Sequence, residues 1–254
     1  MDRILPARAA VAALAVVLAA APAAGAGGSS GATRVDIQFS LCEEPAEVER
    51  ALDLRLRGAP FDVWLFDDPA LALFAKGLRI RLRETRQGAE LTLKLAEQDC
   101  AKLPLGAVPA GEGKCEYDLH GAKLGGALSL AKAVDARTAA ELVSGRLPLP
   151  KALSAAQARI LQGTPGAWPL PPELRALGPT RVRSYRANGR PSVVDVSELP
   201  GGERFIEISL KVALADAQRQ RDRLEADLAR AGVPACADQS AQAVNKLRAL
   251  LARP

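Results

Sequence analysis

Residues Leu78-Arg79-Ile80-Arg81-Leu82-Arg83 alternate strictly between aliphatic and basic side chains. Successive side chains of a strand point to opposite faces, so Arg79, Arg81 and Arg83 share one face and three aliphatic residues share the other. One face asks for a core and the other for anions. Guanidinium groups in a row suit phosphate oxygens, which they grip bidentately.

Other stretches carry the same pattern. Glu90, Thr92 and Lys94 alternate with Leu91, Leu93 and Leu95, and Lys114, Glu116 and Asp118 alternate with Cys115, Tyr117 and Leu119. Asp36, Gln38 and Ser40 oppose Val35, Ile37, Phe39 and Leu41, while Glu207, Ser209 and Lys211 oppose Ile206, Ile208 and Leu210. Arg181 and Arg183 share a face, Asn188-Gly189 signals a hairpin turn, and Val193 to Val196 returns with Asp195. Phe61 to Phe66 adds a further strand.

The elements that position these strands are also legible. Ahead of the arginine strand, Asp68 can cap a short helix, Pro69 fits its first turn, and Gly77 can take the left-handed position that ends it. Asp67 and Asp68 are read as turn and capping residues. A helix is expected from Pro45 to about Arg57, closed by Gly58, and short helices fill 121–180, where Ser154 and Gln157 form a capping box. Asp216 to Arg230 and Ser240 to Arg253 read as two final helices. Trp64 and Tyr117 are read as packing residues, and His120 is given no catalytic role.

This count gives an α+β protein: an eight-stranded antiparallel β-barrel with surrounding helices. If the aliphatic faces lie under the helices, the charged faces line the lumen, which must be wet and mixed in sign or hold a neutralising ligand. Periodicity alone equally fits an open sheet with one packed and one solvated face.

The chain has 254 residues and a formal net charge of +5, too mild a basic excess to suggest a nucleic-acid partner. Aromatics make up 4% of residues, which leaves the core to Leu, Val, Ile and Ala. Arg3 and Arg8, the apolar run Ala9 to Ala21, and Ala24-Gly25-Ala26 have the three-part form of a secretory signal peptide. Residues 1–26 are therefore expected to be a signal, 27–34 a flexible leader and 35–254 one tunnel domain, periplasmic or secreted and without stable membrane insertion after cleavage. In that compartment Cys42, Cys100, Cys115 and Cys236 should be oxidised. Four cysteines allow three pairings; the short loop flanked by Cys100 and Cys115 favours that pair and, by default, Cys42 with Cys236. Their spacing does not suit zinc.

Val63-Trp-Leu-Phe-Asp-Asp-Pro69, Leu73, Gly77-Leu-Arg-Ile-Arg81 and Leu91-Thr-Leu-Lys94 resemble the central signature of the CYTH superfamily, the triphosphate tunnel metalloenzymes. The similarity continues in Lys114-x-Glu116-x-Asp118, Arg181-x-Arg183, Asp195 and Glu207. The resemblance implies a barrel whose Lys and Arg bind a triphosphate-like polyanion and whose acids position Mg²⁺ or Mn²⁺. Carried over, Arg79, Arg81, Lys94, Lys114, Arg181 and Arg183 would hold phosphates. Glu116, Asp118 and Glu207 would be the catalytic acids, and Asp36, Glu116 and Glu207 the metal ligands. The family's opening Glu-x-Glu-x-Lys falls on Asp36-x-Gln38-x-Ser40, and Ser209 stands where a second Glu is common. Two functions follow: a metal-dependent triphosphatase-like hydrolase, or a catalytically inactive module that binds another organic polyanion.

Overall fold

The structure is a computed structural model that describes residues 34–100 and 113–252. The expected signal peptide lies outside the described residues. In chain order the elements are β1 (Arg34–Leu41), α1 (Pro45–Ala51), β2 (Leu54–Leu56), β3 (Phe61–Asp67), α2 (Ala72–Ala75), β4 (Leu78–Thr85), β5 (Gly88–Ala96), β6 (Gly113–His120) and β7 (Lys123–Val134). They continue with α3 (Ala136–Val143), α4 (Leu149–Ala152), α5 (Ala155–Gly163), β8 (Arg175–Ala187), β9 (Val193–Glu198), β10 (Arg204–Ala213), α6 (Ala217–Arg230) and α7 (Gln239–Leu251).

The strands run β8-β3-β4-β5-β7-β6-β1-β10-β9, and β9 pairs back onto β8, which closes a nine-stranded barrel; β2 adds a short tenth strand to β8. Strict antiparallel alternation cannot close a ring with an odd number of strands. The required exception is β1 beside β6, which run parallel. The expected eight antiparallel strands are therefore nine, of mixed orientation.

The additional strand is β7, in the stretch expected to be helical. Its outward Leu128 and Leu130 are buried, but Gly125-Gly126-Ala127 and the small inward residues Ser129 and Ala131 leave little period-two signal. Gly126 is required there because a Cβ would meet the Gln98 carbonyl oxygen at 2.0 Å. At α1 the helix stops at Ala51 rather than near Arg57, since Asp53 turns into the left-handed region at φ 45° and feeds β2. Arg34, expected in the leader, already pairs with Ala213.

The aliphatic faces do lie outward, under helices. Ile37, Phe39, Leu119, Val194, Val196, Ile206 and Ile208 form one core with Val48 of α1 and Leu224 and Leu228 of α6. Leu78, Ile80, Leu82, Leu91 and Leu93 form another with Leu142 of α3 and Leu161 of α5. Each fully buried Leu or Ile contributes about 1.5–3 kcal/mol, so this outer shell rather than the lumen holds the barrel together. Gln157, fully buried, completes the Ser154 capping box and donates to the carbonyls of Leu91 and Leu130 at 2.9 and 3.1 Å, which ties α5 to β5 and β7.

The turn before β4 is built from two carboxylates. Buried Asp67 accepts from the backbone N–H of Asp68, Leu73 and Phe74 at 2.9, 3.0 and 2.9 Å, and Asp68 accepts from Ala72 at 2.8 Å. Gly77 then exits at φ 72°. Asp67→Ala is expected to cost about 2 kcal/mol by leaving buried donors unpaired, read as a lower urea midpoint. An unchanged midpoint would show that the turn is held without it.

Candidate functional site

Strand register defines what faces the lumen. On β4 and β5, Arg79 opposes Lys94, Arg81 opposes Thr92 and Arg83 opposes Glu90. Lys94 then opposes Ser129 of β7, which opposes Lys114 of β6, so a small serine separates two lysines. On the far wall Asp36 lies across from both Asp118 and Lys211, Ser40 from Glu207, and Glu207 from Asp195. The lumen is mixed in sign, as burial of so many charges demands.

Most of its lysines are bound to carboxylates. Lys94 Nζ lies 2.5 Å from Asp118, Lys114 Nζ lies 2.8 Å from Glu116, and Lys211 Nζ lies 3.2 Å from Glu116 and 3.9 Å from Asp36. The arginines differ. Among the described residues Arg79, Arg81 and Arg83 make no ion pair with a carboxylate; Arg79 stacks over Phe74 at 4.9 Å and Arg83 over Phe61 at 4.0 Å, and Nε of Arg83 is buried without a partner. Arg81 is open to water yet so closely walled that desolvation lowers its pKa, with Arg83 adding to this and Glu90, Asp195 and Glu207 opposing it. Water access together with desolvation is the condition of a side chain in a channel. Desolvation also lowers Arg79, against the pull of Asp118.

The acids divide in two. Burial pushes Glu116 up, but its bonds to Lys114 and Lys211 outweigh this and hold it below the usual range. Burial raises Glu207, opposed by Lys246 and His120 and reinforced by Asp195 and Asp36. Burial likewise raises Asp36, against Lys211 and with Asp118 and Glu116. An acid raised in the folded state binds extra protons there, so its contribution to stability is present below its unfolded pKa and is lost as pH rises through the folded value. Asp36→Asn should therefore raise the thermal midpoint at pH 8 and leave it unchanged near pH 4. A midpoint lowered at pH 8 would contradict the raised pKa.

Two of the sequence-derived phosphate ligands are elsewhere. Arg181 and Arg183 share a face with Val196 and Glu198 of β9, and Val196 belongs to the outer core. Arg181 grips both oxygens of Asp62 at 2.9 and 2.8 Å, and Arg183 lies 3.6 Å from Glu198. Alternation fixes which residues share a face but not which face is inside. Pairing makes Val182 and Ser184 the inward residues, and Ser184 Oγ donates to Asp195 at 2.5 Å. A bulge between Val63 and Leu65 offsets β8 near Gly178, where a Cβ would lie 2.8 Å from the Val63 carbonyl oxygen.

Lys246 is a lumen residue that strand periodicity could not supply, because it comes from α7. That helix lies across one mouth of the barrel. Leu250 packs with Leu177 and Leu199 beside inward-facing Leu65 and Phe205, and Lys246 Nζ donates to Ser197 Oγ at 2.8 Å. Gln239, at the start of α7, accepts from Ser40 N–H at 2.7 Å and donates to the Ser40 carbonyl at 3.0 Å, while His120 Nε2 donates to the Gln239 carbonyl at 2.9 Å. The segment entering α7 is covalently fixed by Cys42–Cys236, and Cys100–Cys115 is the second disulfide, both as expected.

The metal ligands inferred from resemblance do not converge. Asp36 and Glu116 are neighbours, but Glu207 is four residues along β10 from Lys211, the partner of Asp36, a separation of about 13 Å along the strand. Among the described residues no group of three His, Cys, Asp or Glu side chains is placed to hold a metal ion. Lysines already neutralise Glu116 and Asp118. This donor set does not fit Mg²⁺ or Mn²⁺, which rely on free carboxylate oxygens.

A closed barrel with aliphatic outer faces and a charged lumen is a fold that this chain shares with solved structures. Among solved structures it is similar to a proposed adenylyl cyclase from Hippeastrum with a dominant triphosphatase activity, at 17% identity and a TM-score of 0.54 over 83% of this chain and 94% of that one. It is also similar to a proposed adenylate cyclase from Bacillus halodurans, at 12% identity and a TM-score of 0.50 over 82% of this chain and 96% of that one. No protein-family model matches the sequence, and no curated protein does.

Proposed function

We propose that this chain is an exported tunnel protein that binds a triphosphate- or polyphosphate-type anion inside its barrel. The observation that carries the reading is the arginine face: Arg79, Arg81 and Arg83 stand in a walled lumen without carboxylate partners among the described residues. Unpaired charge that is partly desolvated in a channel is costly, and an anion with several oxygens relieves it. Lys94, Lys114 and Lys246 extend the positive lining, each with an ammonium that has further donors beyond its present partner. Both disulfides are formed, and among the described residues no helix is long and apolar enough to cross a membrane; the disulfides support an oxidising compartment.

Hydrolysis of the bound anion is a second reading, favoured by the triphosphatase activity of the Hippeastrum protein and by the buried, unpartnered Oδ1 of Asp36. Equilibrium dialysis of tripolyphosphate, with free phosphate assayed in the same samples, separates the two. Retention without phosphate release is the expected result; release that needs Mg²⁺ or Mn²⁺ supports hydrolysis, and absence of retention removes the anion-binding reading.

A further inference from the structure

We infer that the Lys211 ammonium is a built-in cation standing where a divalent ion would otherwise sit between Asp36 and Glu116, so that anion binding in this tunnel is independent of metal. This rests on the anion-binding reading above for its consequence but not for its geometry. Lys211 lies directly across from Asp36 in the β1–β10 ladder, and its Nζ lies 3.2 Å from Glu116 Oε1 and 3.9 Å from Asp36 Oδ2. Asp118, across from Asp36 on the other side, is held by Lys94, and the second oxygen of Glu116 by Lys114. Three carboxylates on neighbouring strands thus face the lumen with lysines among them.

That arrangement has a chemical consequence. A divalent ion placed between Asp36 and Glu116 would meet the Lys211 ammonium at contact distance, and at such separations like charges repel strongly in a partly desolvated site. Lys211 therefore excludes the ion. It also does part of the ion's work: an ammonium fixed by two carboxylates keeps donors for phosphate oxygens at a constant position. The positive charge that a carboxylate-held Mg²⁺ would offer to phosphate oxygens would here come from the lysine.

The test compares Mn²⁺ alone, without anion, on the oxidised wild-type chain and on Lys211→Gln, by the loss of the free-ion electron paramagnetic resonance signal. Lys211→Gln should bind Mn²⁺ about tenfold or more tightly than wild type, because one repelling charge has been removed. Adding Glu116→Gln to that variant should abolish the gain. Wild type binding Mn²⁺ as tightly as Lys211→Gln overturns the inference, and so does failure of both to bind. Lys211→Met serves as a second variant, with thermal unfolding to verify that each is folded. Tripolyphosphate titration in EDTA is read separately. Loss of binding in EDTA that Mn²⁺ restores would overturn the inference but leave the anion-binding reading standing. Loss with and without Mn²⁺ would remove that reading while the Mn²⁺ comparison still decides the role of Lys211.

Discussion

Replacing Arg79 and Arg81 together with alanine is expected to weaken tripolyphosphate binding by about 3–5 kcal/mol, at least about a hundredfold, while leaving the fold intact. Each arginine supplies a charge-assisted bond worth about 1.5–3 kcal/mol, and neither is committed to a carboxylate among the described residues, so its removal breaks no internal ion pair. Arg81→Ala alone should show about 1.5–3 kcal/mol. Arg81→Lys should recover only part of it, since an ammonium cannot reproduce the planar fork. Arg181→Ala is the informative control: its guanidinium is engaged with Asp62 on the outer face, so anion affinity should not move. Equal losses for Arg81→Ala and Arg181→Ala in a calorimetric titration would mean that the inward and outward faces have been assigned wrongly.

The second large effect is on stability. Cys42 and Cys236 are 194 residues apart in sequence, so their disulfide restricts the unfolded chain far more than Cys100–Cys115, which spans 15. On the loop-entropy scale the long link contributes about 5 kcal/mol and the short one about 3 kcal/mol. Cys42→Ser/Cys236→Ser should accordingly lower the urea unfolding free energy more than Cys100→Ser/Cys115→Ser. It should also free α7, whose hold on the mouth otherwise rests on Gln239, Lys246 and the Leu250 contacts. Hydrogen exchange reads this second effect, as amide protection lost over α7 before the rest of the barrel. Protection of α7 that persists in the serine variant would show that packing alone seats the helix.

Strict alternation makes one wall of the lumen legible in the amino-acid sequence. Arg79, Arg81 and Lys94 lie opposite aliphatic residues, and Lys114, Glu116 and Asp118 opposite Cys115, Tyr117 and Leu119, so the shared faces are legible, and strand pairing turns them inward. Both disulfides follow from the loop between Cys100 and Cys115. Three features are hidden for definite physical reasons. β7 turns only small residues, Gly125, Ala127, Ser129 and Ala131, to the lumen, which lets β5 and β6 carry long side chains beside it but gives no charged face to read. The orientation of β8 depends on a bulge and on its register with β9, so Arg181-x-Arg183 reads identically whether it faces in or out. Lys246 reaches the lumen only because α7 crosses the mouth, a tertiary fact that spacing within a helix cannot encode. Lys211 is visible as a member of an alternating strand, yet its partners Asp36 and Glu116 are distant in sequence and meet it only through strand pairing.

The measurement closest to the central claim is a calorimetric titration of inorganic tripolyphosphate into the oxidised chain in EDTA, repeated at two ionic strengths. The arginine lumen predicts saturable binding of one anion per chain that survives the chelator and weakens as salt rises. A folded chain with both disulfides intact that takes up no tripolyphosphate at either ionic strength would contradict it, and the charged lumen would then be a self-neutralised wet interior rather than a binding site.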